Sequence, residues 1–286
     1  VHVIEGPFLK ESFSKRDAHA KRLNFQPEWL KRIIPQKSDH KYSRGKVSFI
    51  MSESMPGACL LAAEAAQEVG AGYVQIFVPQ TLVQTQQLSH LSFVYKAYTS
   101  EKQLLELLKL EEKTRAYCLG PGWTGDPMIF KDFIQESSSF FILDGGFLKK
   151  ELIEGLSSLK NLVLTPHDGE LSRLIEGATH IDKAQGLSRK VQATVVAKAF
   201  DTIVINQENP LTINGDTSSF LAKAGTGDVL AGLVGGLLAQ SLSPYEASCF
   251  AVYLHSQIGK EISWGLTPEK MIEAISPVLK KLNATK

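Results

Sequence analysis

The chain has 286 residues, of which 43% are hydrophobic and 21% charged, with a formal net charge of +1 at neutral pH. That composition can build a large apolar core, and the near-neutral balance leaves no basic footprint for nucleic acid or an anionic membrane surface. Three scattered cysteines, Cys59, Cys118 and Cys249, lack CxxC spacing; they suit buried thiols in a reducing, cytoplasmic setting rather than a disulfide frame or a zinc site.

No apolar run approaches the roughly 18 residues of a membrane span. The start, Val1-His2-Val3-Ile4, shows no basic region ahead of an apolar core, as a secretion signal would, and it lacks an initiating Met, which leaves room for an upstream segment. Residues 1–44 are polar, charged and interrupted by Pro7, Pro27 and Pro35; they read as an N-terminal arm with one short helix over 28–34. Regular alternation then begins, and 45–286 reads as one domain. Short, nearly continuous apolar runs predict strands over 47–51, 73–78, 92–97, 115–119, 140–143 and 161–165. Helices are expected between them over 56–69, 101–110, 126–136 and 152–156. Strands that are apolar on both faces indicate a mainly parallel sheet covered by helices on both sides, an α/β fold. Three closely spaced runs, 194–198, 202–206 and 211–214, suggest antiparallel strands added at one edge. Three helices, over 228–240, 245–263 and 268–282, close the chain.

Ligands of such sheets bind outside the carboxyl ends of the strands. There the chain places Gly120-Pro121-Gly122-Trp123, Asp144-Gly145-Gly146 and Pro166-His167-Asp168-Gly169. Any one of these loops needs turn residues anyway; three in succession point to a site. The strongest local signal is Ala224-Gly225-Thr226-Gly227-Asp228, just before a long apolar helix. The first N–H groups of a helix lack intrahelical partners and carry the positive end of its dipole, so small residues here let a phosphate sit on the backbone. The same helix carries Gly227, Gly232, Gly235 and Gly236, costly in a helix unless another backbone or a ligand approaches closely. Asp228 has two readings: a first-turn carboxylate that merely complements the dipole, or a base beside a bound phosphate, which the dipole should keep ionised at pH 7 as a weak base that positions the nucleophile. Asp144 likewise reads as a magnesium contact through water or as a helix cap. His167 reads as a cap or a ligand contact, Lys198 as a solvated strand end or a nucleotide contact, and Trp123 as a loop cover or a stacking platform. No GxxxxGK[ST] loop and no GxGxxG after the first strand occurs, which leaves Walker-type and Rossmann sites unsupported.

The run Gly225-Thr226-Gly227-Asp228-Val229-Leu230-Ala231-Gly232 with Gly235-Gly236-Leu237-Leu238-Ala239-Gln240 is very similar to the signature of the ADP/ATP-dependent NAD(P)H-hydrate dehydratases. So is Leu164-Thr165-Pro166-His167-Asp168-Gly169-Glu170, and Gly120-Pro121-Gly122 and Pro56-Gly57-Ala58 with Gly70-Ala71-Gly72 support it in the family's order, over residues 41–283. The resemblance implies a ribokinase-like catalytic domain that repairs hydrated NADH and NADPH. ADP or ATP phosphorylates the hydrate hydroxyl and phosphate is then eliminated, with Mg2+ and a homo-oligomer, up to a tetramer, as further implications. It makes Asp228 the base, and Ala224, Gly225, Thr226 and Gly227 the anion hole. Ala58, Gly122, His167 and Asp228 would bind the hydrate, and Lys198, Thr202 and Gly227 the nucleotide. No protein metal cage is expected, since Mg2+ is held largely by phosphates and water. The chain departs from the family pattern at Ser52-Glu53-Ser54, in place of a Gly-Gly-Ser-like loop, at Gly146 in place of a second Asp, and at Ala199 after Lys198. These departures touch substrate affinity and metal contacts more than the fold. A vitamin-precursor kinase of the same fold and a non-catalytic nucleotide-binding regulator are the competing readings.

Overall fold

The computed structural model describes residues 20–84 and 90–284. Its strands are β1 (Ala20–Arg22), β2 (Lys46–Ile50), β3 (Tyr73–Pro79), β4 (Val94–Tyr98), β5 (Ala116–Leu119), β6 (Phe140–Leu143), β7 (Leu162–Leu164), β8 (Thr194–Ala197), β9 (Thr202–Ile205) and β10 (Leu211–Asn214). Its α-helices are α1 (Pro27–Ile33), α2 (Pro56–Glu68), α3 (Gln80–Gln84), α4 (Glu101–Lys109), α5 (Lys131–Glu136), α6 (Lys150–Gly155), α7 (Asp168–Leu174), α8 (His180–Val191), α9 (Thr226–Ala239), α10 (Pro244–Ile262) and α11 (Pro268–Ala284).

All ten strands form one sheet in the order β1-β10-β9-β8-β7-β6-β5-β2-β3-β4. Its central strands are buried on both faces, as their apolar runs require: every residue of β2, β5 and β8 is buried. Period-two alternation splits their side chains between two cores. Val47, Phe49 and Cys118 meet α2, α9 and α10 on one face. Ile50, Tyr117 and Leu119 meet α4, α5, α7 and α8 on the other.

Four local expectations need correction. The expected antiparallel group is only β9: β8 pairs parallel with β7, and β9 alone runs against both of its neighbours. Two short turns, after β8 and after β9, reverse the chain twice, so β10 points the same way as β8. The charged Ala20-Lys21-Arg22 forms an unforeseen strand, β1, parallel to β10, and Leu23, Trp29, Leu30 and Ile33 after it are buried in the core; residues 1–19 of the expected arm lie outside the described residues. Helices α7 and α8 were not expected. The signal for α8 was Thr179 as an N-cap, accepting from Asp182 N, ahead of apolar positions at Ala184, Leu187 and Val191. Finally, the expected 126–136 helix divides into a 3-10 turn, Pro127–Phe130, and α5.

The glycines of α9 explain why that helix is so small-sided. A Cβ on Gly232 would lie 2.0 Å from the carbonyl oxygen of Ala62, and one on Gly236 2.7 Å from that of Ala66. The two glycines therefore let α9 press its backbone onto the alanine-rich face of α2. That packing fixes the N-terminus of α9 over the carboxyl ends of the central strands.

Candidate active site

The loop before α9 enters the helix through Gly225, which has a φ of 89° and no Cβ to obstruct it. No side chain caps this helix; Thr226 N donates to Lys223 O at 3.4 Å, which leaves the N–H groups of Gly227 and Asp228 at the positive end of the dipole. Thr226 does not turn its hydroxyl to a ligand: Oγ1 donates to the carbonyls of Leu221 and Lys223, both at 2.8 Å. His255 of α10 fixes the same turn, donating from Nε2 to the Thr226 carbonyl at 2.9 Å. Burial pushes the His255 imidazole down to about 4, with the Thr226 bond opposing and Lys198 adding to the fall. It is therefore neutral near pH 7. Thr226 and His255 thus shape the loop, and the backbone is left to bind.

Lys198 directly follows β8 and faces this helix start. A Cβ on Gly227 would come within 3.3 Å of Lys198 Nζ. The lysine donates to Asp144 Oδ1 at 2.8 Å, and Thr165 Oγ1 donates to the same oxygen at 2.7 Å. Asp144 is 4% exposed and makes no cap to the following turn, so the capping alternative gives way to a buried ion pair. Burial would lower the Lys198 ammonium, but Asp144 above all, then Glu170 and Asp228, hold it above its ordinary range.

Asp228 sits in the first turn of α9. The sequence reading kept it ionised through the helix dipole, and the surroundings reverse that. Burial foremost, then the charge of Asp144, push its carboxyl up to about 7; Lys198 opposes this and Glu170 adds to it. Its field reaches the thiols of Cys59 in α2 and Cys118 in β5, both already raised by their own burial. A carboxylate of this strength is a far better proton acceptor at neutral pH than an ordinary aspartate.

His167 is the N-cap of α7. Its Nδ1 accepts from Gly169 N at 3.0 Å, and Glu170 Oε2 accepts from His167 N at 2.8 Å, a reciprocal capping box. The proton of the neutral ring therefore lies on Nε2, on a side chain 57% exposed. Lys198 N donates to Pro166 O at 2.8 Å, and His167 and Lys198 stand side by side across the ends of β7 and β8. On the other flank, Gly122 (φ 69°) leaves room for Met55 O and Ala58 Cβ, 2.3 and 3.0 Å from where its Cβ would be. Gly120 (φ 121°) meets the backbone of Asp144 in the same way, at 1.7 Å from its carbonyl oxygen. The candidate residues thus fall into two groups. Gly225, Gly227, Asp228, Lys198 and His167 gather at the ends of β7, β8 and α9. Gly122 and Ala58 lie across β5 and α2. Ala224 is exposed in the loop before α9, and Thr202 closes the turn after β8, donating to Ala199 O at 3.1 Å. Thr165, Glu170 and His255 escaped the sequence reading as site residues; the first two stood inside the Leu164–Glu170 motif, and His255 stood in a closing helix, beside Ser256 and Gln257, with no motif around it.

Substituting Gly227 tests the helix start directly. A β-branched side chain there would fill the space between the leading N–H groups and Lys198. Gly227→Val is expected to raise the KM for the nucleotide about tenfold or more, equivalent to roughly 1.4 kcal/mol of phosphate binding. Steady-state kinetics with varied nucleotide check this, and an unchanged KM would remove the helix start from the phosphate site.

A mainly parallel sheet, an uncapped glycine-rich helix start over its carboxyl ends and a strong carboxylate base beside that start define a protein of the ribokinase-like class. A ribokinase-like superfamily protein of Enterococcus faecalis has the same architecture, with a TM-score of 0.77 at 25% identity, 90% of this chain and 95% of that one being covered. Within that class the NAD(P)H-hydrate dehydratase family model matches residues 50–276, and the chain belongs to that family. The ADP-dependent (S)-NAD(P)H-hydrate dehydratase of Neisseria meningitidis is 30% identical over 268 residues, covering 85% of this chain and 86% of that enzyme. The ADP/ATP-dependent NAD(P)H-hydrate dehydratase of Bacillus subtilis, co-crystallised with ATP/Mg2+, has a TM-score of 0.74 at 24% identity, covering 90% of this chain and 97% of that one. The chain spans about half the length of the bifunctional NAD(P)H-hydrate repair enzymes it also matches.

Proposed function

We propose that this protein uses ADP or ATP to dehydrate hydrated NADH or NADPH. The observation that carries this reading is Asp228, a carboxylate poised near neutrality in the first turn of a helix whose phosphate-binding end is free. The hydrate hydroxyl attacks the terminal phosphorus of the nucleotide as its proton passes to Asp228. The bond from that phosphorus to the nucleotide breaks, and AMP or ADP departs. The leading N–H groups of α9 and the Lys198 ammonium hold the transferred phosphoryl oxygens, where charge is distributed in a loose transition state. The hydroxyl is now a phosphate ester. The ring nitrogen's lone pair expels phosphate, the neighbouring ring carbon loses a proton, and the nicotinamide double bond returns.

Mg2+ fits this site only as an ion carried on the nucleotide. Among the described residues no cluster of three or more His, Cys, Asp or Glu could hold a metal, and Asp144 already accepts from Lys198 and Thr165. When bound, the ion would neutralise phosphate charge, and Asp144 and Asp228 are the carboxylates at this end of the sheet that could accept from its water ligands. Among the described residues no helix is long and apolar enough to cross a membrane; the cytoplasmic location is part of the proposed repair role. A homo-oligomer follows from the family alone, and sedimentation tests it.

The deciding experiment mixes the purified protein with NADPH hydrate, Mg2+ and either ADP or ATP, and follows the near-ultraviolet absorbance of the reduced nicotinamide. A nucleotide-dependent rise is expected, with one phosphate released per hydrate consumed. A flat trace from folded protein with both hydrates and both nucleotides would overturn the reading in favour of a small-molecule kinase.

A further inference from the structure

A concavity lies on the Gly122 side of the candidate site. It is a cleft of about 650 Å³ over the carboxyl ends of β2, β3, β4 and β5, within the size range of a nucleoside-scale ligand. Trp123, next to Gly122, joins it to the hydrate side of the active site. The nucleotide turn after β8 lies on the opposite flank, with β7 and β6 between.

The chemistry of this cleft is hydroxyl-rich and acidic. Ser52, Ser54 and Thr124 bond one another through their hydroxyls at 2.8–3.0 Å. The described lining includes two carboxylates, Glu53 and Glu101, and no lysine, arginine or histidine. Glu53 is held in place by a hydrogen bond from the Thr81 hydroxyl. Burial and the neighbouring Asp126 raise the Glu101 carboxyl, a mark of negative charge gathered at this end. Trp123 is 5% exposed, lines the cleft, and its buried Nε1 has no hydrogen-bond partner. A buried donor left unpaired costs about 1–3 kcal/mol.

We infer that this cleft receives the adenosine half of the hydrated dinucleotide, and that Glu53 makes the protein select NADH hydrate over NADPH hydrate. This rests on the dehydratase reading. A carboxylate accepts well from the two hydroxyls of a ribose, and it repels a phosphate on the same sugar, the logic by which an acidic residue marks NAD sites elsewhere. With no cation in the described lining to answer it, a 2′-phosphate would meet only like charge here, and juxtaposed like charges are strongly disfavoured.

The test compares kcat/KM for the two hydrates at saturating nucleotide. The wild-type protein is expected to favour NADH hydrate by about tenfold or more, chiefly through KM. Glu53→Gln brings the ratio toward one, and Glu53→Arg turns it toward NADPH hydrate, while the nucleotide KM, set across the sheet, stays where it was. Fluorescence titration with NADH and with NADPH reads the same discrimination without turnover. Equal wild-type constants for the two dinucleotides, or a ratio that Glu53→Gln and Glu53→Arg leave unmoved, would overturn the assignment. Failure of both hydrates to react, with the NADH preference intact and dependent on Glu53, would strike the dehydratase reading alone.

Discussion

Asp228→Asn is expected to lower kcat by about 10²–10⁴-fold, the usual worth of a positioned base, while leaving nucleotide binding in place. The substitution keeps the shape of the side chain and removes only its capacity to accept a proton. It also carries its own control for folding. Burial and Asp144 push the Asp228 carboxyl up to about 7 in the folded protein, from an ordinary value of 3.8. Between those values the folded state holds a proton that the unfolded chain has released, so this group's contribution to stability falls as pH rises from about 4 to about 7. Asparagine escapes that loss, and the variant should be no less stable than the wild type above pH 7. The activity has the opposite dependence. In the wild type kcat/KM should climb as pH rises through about 7, because the base works only when ionised, and in the variant that limb should vanish. A variant with near-wild-type turnover, or one that keeps the limb, would take Asp228 out of the proton transfer.

What the sequence revealed and what it hid divide along physical lines. Strands such as 47–51 and 140–143 were legible because burial on both faces forces continuous apolar runs. The anion site was legible because a helix start that binds phosphate must be stripped of side chains, and glycine is conspicuous. The strand β1 was hidden because an edge strand of three residues needs no apolar run: Ala20, Lys21 and Arg22 are intermediate or exposed. The direction of β8 and β10 was hidden because short turns say that the chain reverses, not which strand each reversal lands beside. The state of Asp228 was misjudged for a related reason. The helix dipole is local and was read from its own segment, whereas burial and the charges of Asp144, after β6, and Glu170, in the first turn of α7, come from distant parts of the chain. Likewise nothing near Lys198 announces its partner, which lies 54 residues away.

That partner gives Lys198 two separable roles, and removing the lysine should disturb both. Asp144 is 4% exposed and Lys198 18%, so Lys198→Met leaves a buried carboxylate with only the Thr165 hydroxyl to answer it. Breaking such a pair from one side costs about 3 kcal/mol or more, because the remaining charge is stranded. A clear fall in the midpoint of thermal unfolding is expected. Activity should collapse beyond what instability explains, since the cation facing Gly227 is lost from the phosphoryl oxygens and Asp228 loses the one neighbour named as holding its carboxyl down. The pH limb of kcat/KM should therefore move upward in whatever activity remains. The double variant Lys198→Met/Asp144→Asn separates the roles. Neutralising both partners removes the stranded charge, so most of the stability should return. It also removes the foremost charge that raises Asp228, so the limb should move back down. The phosphate contact does not return, and the nucleotide KM should stay elevated. Recovery of activity together with stability would mean that Lys198 serves only to neutralise Asp144. A single variant as stable as the wild type would mean that the ion pair between β6 and β8 does not hold the site together.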